Sequence, residues 1–127
     1  MTEPIAFEEV QANILLPYPK ANCCRLVFVR FDPEQRVAAK KWVRKLRKKI
    51  AFHDQVRDED GVPRSDAEGP WYNVGFTHEG LEALGFDPYS LKYSPDDFAE
   101  GMASRAERLG DVEDPAREEH QVHAVVM

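Results

Sequence analysis

The apolar positions along the chain follow two different periods. Residues 25–31, Arg-Leu-Val-Phe-Val-Arg-Phe, are apolar almost without a break between two arginines. A run of this kind, rich in Val and Phe, predicts a central strand covered on at least one face. The period then changes. Ala39, Trp42, Val43, Leu46 and Ile50 recur at three- and four-residue steps and form one apolar stripe, which predicts an amphipathic helix. Asp32 and Pro33 open that helix as cap and first residue, and Glu34 suits the positive end of its dipole. Residues 71–77 predict a second strand. Thr77 caps a short helix carrying Leu81 and Leu84, which Gly85 closes. Ser94-Pro95-Asp96-Asp97 is another helix start, with Ser as cap, Pro first and an acid three residues on. Phe98, Met102, Ala106 and Leu109 then share one face, and Gly110 is the expected stop. Residues 121–127 predict the third strand.

The predicted order is β-α-β-α-α-β. That is an α+β, ferredoxin-like unit lacking its last helix and last strand. With 127 residues, a single domain is expected. Residues 57–69 are rich in Asp, Glu, Gly, Pro and Ser and predict a flexible loop. Residues 111–119 predict a second loop. Neither separates two segments that could each build a core.

Charge adds a local feature. The formal net charge is -6, yet eight of the 17 basic residues lie between Arg36 and Lys49. This basic helix lacks interleaved aromatics on its polar face, so a solvated face is expected rather than a nucleic-acid surface. Asp96, Asp97 and Glu100 sit in a helix first turn, where compensation of the dipole accounts for them. No apolar stretch approaches the length that spans a bilayer. The start Met1-Thr2-Glu3-Pro4 lacks the basic-then-apolar pattern of a signal peptide, and a cytoplasmic location is the default expectation.

Cys23 and Cys24 are adjacent, and neighbours in an extended chain point to opposite faces. They are expected as reduced thiols in a strand, packed as small hydrophobes. The histidines are His53, His78, His120 and His123. His120 and His123 are three residues apart, which on a strand turns the rings to opposite faces. Solvated or capping histidines are therefore expected, with neither a metal site nor a haem ligand assigned.

Four blocks resemble one family. Val10-Gln11-Ala12-Asn13-Ile14-Leu15, with Tyr18-Pro19-Lys20, is similar to the Gln-Gly-Asn-Ile-Leu opening of dye-decolorizing-type (DyP) haem peroxidases. The strand at residues 26–31 follows. Asn73-Val74-Gly75-Phe76-Thr77, with Gly80-Leu81-Glu82-Ala83-Leu84-Gly85, resembles the family's strand and Gly-Leu-x-Ala-Leu-Gly turn. The segment from Phe98 to Asp111 resembles a helix late in the family's N-terminal half. Two departures stand out. Ala12 occupies a position where the family has Gly, and residues 57–69 match nothing in it. If position 12 required a positive φ, Ala would cost about 1 kcal/mol there.

The resemblance implies the N-terminal ferredoxin-like part of a dimeric α+β barrel-type haem peroxidase. The complete enzyme would use peroxide and haem b to oxidise dyes and small organic reductants. Family chemistry needs a distal Asp in a Gly-x-x-Asp-Gly motif, a distal Arg and a proximal His. No glycine here begins that motif, and in the family all three groups lie beyond the equivalent of Met127. No catalytic, cofactor-binding or metal residue is therefore assigned to this chain, and it is expected to be inactive alone. Expected partners are a C-terminal haem-binding half, or a second copy paired through an open sheet edge.

Overall fold

The computed structural model describes residues 3–92, 94–104, 108, 110 and 121–127. Among them three strands form one antiparallel sheet: β1 (Val27–Val29), β2 (Val74–Phe76) and β3 (Ala124–Val126), in the order β1-β3-β2. The strand that is last in sequence therefore lies in the middle. Val27, Val126 and Val74 share one row of the sheet, and Val29, Ala124 and Phe76 share another. The α+β class and the ferredoxin-like arrangement agree with the sequence pattern.

Among the described residues five α-helices lie between the strands: α1 (Arg36–Arg47), α2 (His53–Val56), α3 (His78–Ala83), α4 (Pro88–Leu91) and α5 (Asp96–Ser104). The expected caps hold at two starts. Asp32 accepts from the Glu34 N–H at 2.9 Å, although it caps a single 3-10 turn (Pro33–Gln35) that leads into α1. Thr77 Oγ1 accepts from the Gly80 N–H at 3.0 Å. The short helices α2 and α4 carry too few turns to show a period, which is why the apolar pattern did not predict them.

One face of the sheet carries the core. Phe31, Leu84 and Ala124 are buried together, and Val29, Ala39, Val43, Phe76 and Ala83 pack on them. The predicted stripe of α1 thus supplies Ala39 and Val43, with Trp42 edge-on to Phe31 at 6.0 Å. Gly80 lets α3 approach the sheet closely. A Cβ there would lie 1.9 Å from the His123 carbonyl oxygen.

Beyond β2 the layer continues through bridges. Ile50 pairs with Tyr72, and Gln11 pairs with Phe52. Ala12 is buried in this layer and donates its N–H to Ala51 O at 2.8 Å. The positive φ of this loop falls on Asn13 (71°), so the step from Gly to Ala at position 12 meets no left-handed backbone. Residues 57–69 are an irregular loop held by local hydrogen bonds. Asp58 Oδ1 accepts from the N–H groups of Asp60 and Val62, and Arg57 donates to the carbonyls of Gly61 and Pro17.

Three expectations need correction. First, β1 is an edge strand, and Val27 and Phe28 are exposed by 48% and 63%. A strand apolar on both faces reads as central, but among the described residues one of its flanks carries no strand. Second, Cys23 and Cys24 lie upstream of β1 in irregular chain, and both are exposed. Their apolar neighbours Leu26 to Val29 extended the strand pattern too far towards the N-terminus. Third, α5 is not one continuous helix. Gly101 adopts φ 78°, ψ 168° and kinks it, a conformation open to glycine and strained for other residues. The side chains of Met102, Ala106 and Leu109 lie outside the described residues, as does the loop expected at 111–119.

Candidate functional site

Gln11 occupies the outer edge of β2. Its Nε2 donates to Val74 O at 2.9 Å, and its Oε1 accepts from Val74 N at 2.9 Å. Antiparallel ladders alternate residues that pair inward with residues whose N–H and C=O point outward. Asn73 and Met127 exchange both backbone hydrogen bonds, at 2.9 and 3.0 Å. Val74 therefore points its backbone groups away from β3, and the Gln11 amide satisfies both of them. Asn73 Nδ2 also donates to Gln11 Oε1 at 3.3 Å and to Ala12 O at 2.6 Å. Tyr18 O–H completes the cluster by donating to Asn73 Oδ1 at 2.5 Å. Burial pushes the Tyr18 phenol pKa up, so the hydroxyl keeps its proton at neutral pH.

Among the described residues the opposite edge has no such seal, and β1 pairs with β3 alone. Met127 directs its backbone groups to the β2 side, and by alternation Val125 does too, so Val126 and Ala124 turn theirs to Val27 and Val29 and the Phe28 N–H and C=O point outward. The Phe28 ring is exposed, and Leu26 beside it is 53% exposed.

An open groove of about 1010 Å³ begins where β1 begins. Its walls include Val27, Val126 and Met127 from the strand ends, with Lys20, Arg25 and both cysteines. Tyr18 and Trp71, stacked at 4.8 Å and 6° between planes, form an aromatic wall. Lys20 adopts φ 60° at the turn before this wall. The groove therefore joins an apolar floor, two cations and an aromatic platform.

The histidines are spread through the fold. His123 is buried, not solvated. Its Nδ1 accepts from the Phe31 N–H at 2.8 Å, which requires a neutral ring at that nitrogen. Burial holds its pKa below the usual histidine value, Glu79 raises it and Arg30 lowers it. His53 is buried at the start of α2 with its ring 5.0 Å from Phe7. His78 opens α3, 3.5 Å from Glu82 and edge-on to Phe98. His120 lies outside the described residues. Among the described residues no three His, Cys, Asp or Glu side chains gather as metal ligands, and no helix is long and apolar enough to cross a membrane. The roles of Gln11 and Asn73 escaped the sequence pattern, since neither residue changes a hydrophobic period.

No family model and no curated protein matches the chain. Among solved structures, the DyP-type peroxidase AnaPX of Anabaena sp. is similar, with a TM-score of 0.66 at 23% identity. The similarity covers 94% of this chain and 27% of that protein. This chain thus spans about a quarter of the length of the peroxidase whose fold it shares.

Proposed function

We propose that this chain is the scaffold part of a dye-decolorizing-type haem peroxidase and is catalytically inactive by itself. Haem b, the distal acid, the distal cation and the proximal imidazole would come from outside residues 1–127. The observation that carries this reading is the sheet order β1-β3-β2, with β1 at an edge among the described residues, in a fold shared with about a quarter of a DyP-type peroxidase. The four sequence blocks support it independently. The described histidines do not fit an axial ligand: His123 Nδ1 holds the Phe31 amide, His53 is packed under Phe7, and His78 faces Glu82. No catalytic step is therefore derived through haem in this chain.

The test is spectral. The purified chain is mixed with haemin, and the Soret region and peroxide-dependent dye turnover are recorded. The expected result is a broad band and no turnover above free haemin. A sharp Soret band with turnover overturns the reading. A second reading, an assembly module that pairs through its open edge, is favoured by the outward Phe28 backbone and its exposed ring. A compact monomer at micromolar concentration that pairs with no other segment would count against it.

A further inference from the structure

We infer that Cys23 and Cys24 form a modification site that takes up small anionic disulfides as mixed disulfides. The pair lies outside the three strands and outside the buried core. Cysteine is among the residue types most often buried, yet both of these are exposed. Both also line the groove that begins at β1. Reactive thiols are accessible and lie in electropositive surroundings, whereas buried ones are inert.

The groove supplies those surroundings. Its described lining holds Lys20 and Arg25 and no Asp or Glu side chain, in a chain whose formal net charge is -6. Both cations are exposed, and among the described residues neither forms an ion pair. A concave surface lined by one sign of charge raises the local concentration of the opposite sign. A disulfide bearing carboxylates is drawn to the thiols, and one bearing amines is repelled. The stacked rings of Tyr18 and Trp71 wall the same groove and offer apolar contact to the ligand's carbon skeleton.

The reaction is thiol–disulfide exchange. A cysteine thiol gives its proton to water, and the thiolate attacks one sulfur of the disulfide. A new S–S bond forms to Sγ, and the disulfide's own S–S bond breaks. Its second sulfur leaves as a thiolate and takes a proton from water. The cysteine sulfur is oxidised and the leaving sulfur reduced, so no further oxidant enters. The neighbouring cysteine is poorly placed to displace the adduct. The peptide bond between the two is trans, and Cα atoms across such a bond are about 3.8 Å apart. That is short of the roughly 4.4–6.8 Å that disulfides usually span, so the mixed disulfide persists.

The full chain is mixed with glutathione disulfide, which is anionic, or with cystamine, which is cationic, at matched concentrations. Rates are divided by those of a neutral thiol, N-acetylcysteine amide, and adducts are counted by intact mass. After this correction glutathione disulfide is expected to react about tenfold faster than cystamine or more, with the advantage shrinking at high salt. Lys20→Glu with Arg25→Glu is expected to reverse the preference, and circular dichroism checks that this exposed double variant stays folded. A free peptide of residues 20–25 carries the same charges without the groove, and its preference is expected to be smaller. Cys23→Ser with Cys24→Ser is expected to take no adduct. Equal rates for the two disulfides, an equal preference in the free peptide, or a product that has lost two hydrogens to an internal disulfide in place of the adduct overturns the inference. None of these readouts involves haem, so the scaffold proposal stands or falls separately.

Discussion

The two edges of this small sheet have been treated differently. At β2, a glutamine side chain imitates a strand and satisfies Val74 on both backbone groups. At β1, an equally apolar strand ends the sheet with its outward groups and the Phe28 ring exposed. Exposed edges are usually blunted by charge, proline or a covering element. Among the described residues one edge is thus covered by a side chain and the other is not. It also divides stability unevenly. The β2 side carries the Gln11–Asn73–Tyr18 cluster and the close approach of α3, whereas the β1 side depends on Phe31 and His123.

The largest effect should come from closing the space between α3 and β3. In Gly80→Ala the new methyl would meet the His123 carbonyl at 1.9 Å, and backbone cannot swing aside as a side-chain tip can. A loss of about 3 kcal/mol or more is expected, read by thermal or urea unfolding. A variant as stable as the parent would mean that α3 does not rest on β3.

Breaking the seal is the next test. Gln11→Ala leaves the Val74 N–H and C=O without the amide and removes one partner of Asn73. About 2 kcal/mol should be lost, with faster exchange at the Val74 amide and unchanged exchange at Phe28. If Gln11→Ala leaves Val74 exchange unchanged, the two edges do not differ in the way described.

The β1 side should be sensitive to acid. His123 is held below its ordinary pKa by burial, and the unfolded chain therefore takes up the proton more readily than the folded one. The neutral ring contributes its stability above the unfolded value of about 6.5. That contribution is lost progressively as pH falls from there through the folded pKa. Protonation at Nδ1 also removes the acceptor for the Phe31 amide. Melting curves between pH 7.5 and 5 should show a decline that His123→Gln diminishes, with Phe31 exchange accelerating before Val74 exchange. An identical pH dependence in the variant would exclude His123 as the cause.

The smallest effect is expected away from both edges. Gly101→Ala strains a backbone at φ 78°, but among the described residues nothing lies within 4 Å of the new methyl. A cost of about 1 to 2 kcal/mol is expected from calorimetry, with amide exchange at Val74 and Phe28 unaltered.

Much of the secondary structure was legible because it follows local rules. The helix stripe from Ala39 to Ile50, the Thr77 cap and the three strands depend on spacing and on residues close in sequence. The short helices were hidden, since four residues cannot display a 3.6-residue period. The kink at Gly101 was missed for a related reason. Good capping and an apolar face argue for continuity, and only the backbone dihedrals reveal that the chain turns there. His123 was read as solvated because burial of a polar ring depends on its partner, here a backbone amide 92 residues away.

The candidate site was less legible than the fold. Gln11 and Asn73 became visible as edge-sealing residues only when segments 62 residues apart came together. Cys23 and Cys24 moved from an expected strand interior to the wall of an open groove. By itself the sequence determined the class of fold, the helix and strand propensities, and the absence of the Gly-x-x-Asp-Gly motif, because each is written in local spacing. Only the tertiary structure decided that β3 is central, that Gln11 covers the β2 edge and that β1 stands at the other edge of the described sheet. Those outcomes depend on which backbone groups find partners, and hydrogen bonds between distant segments leave no period in the chain.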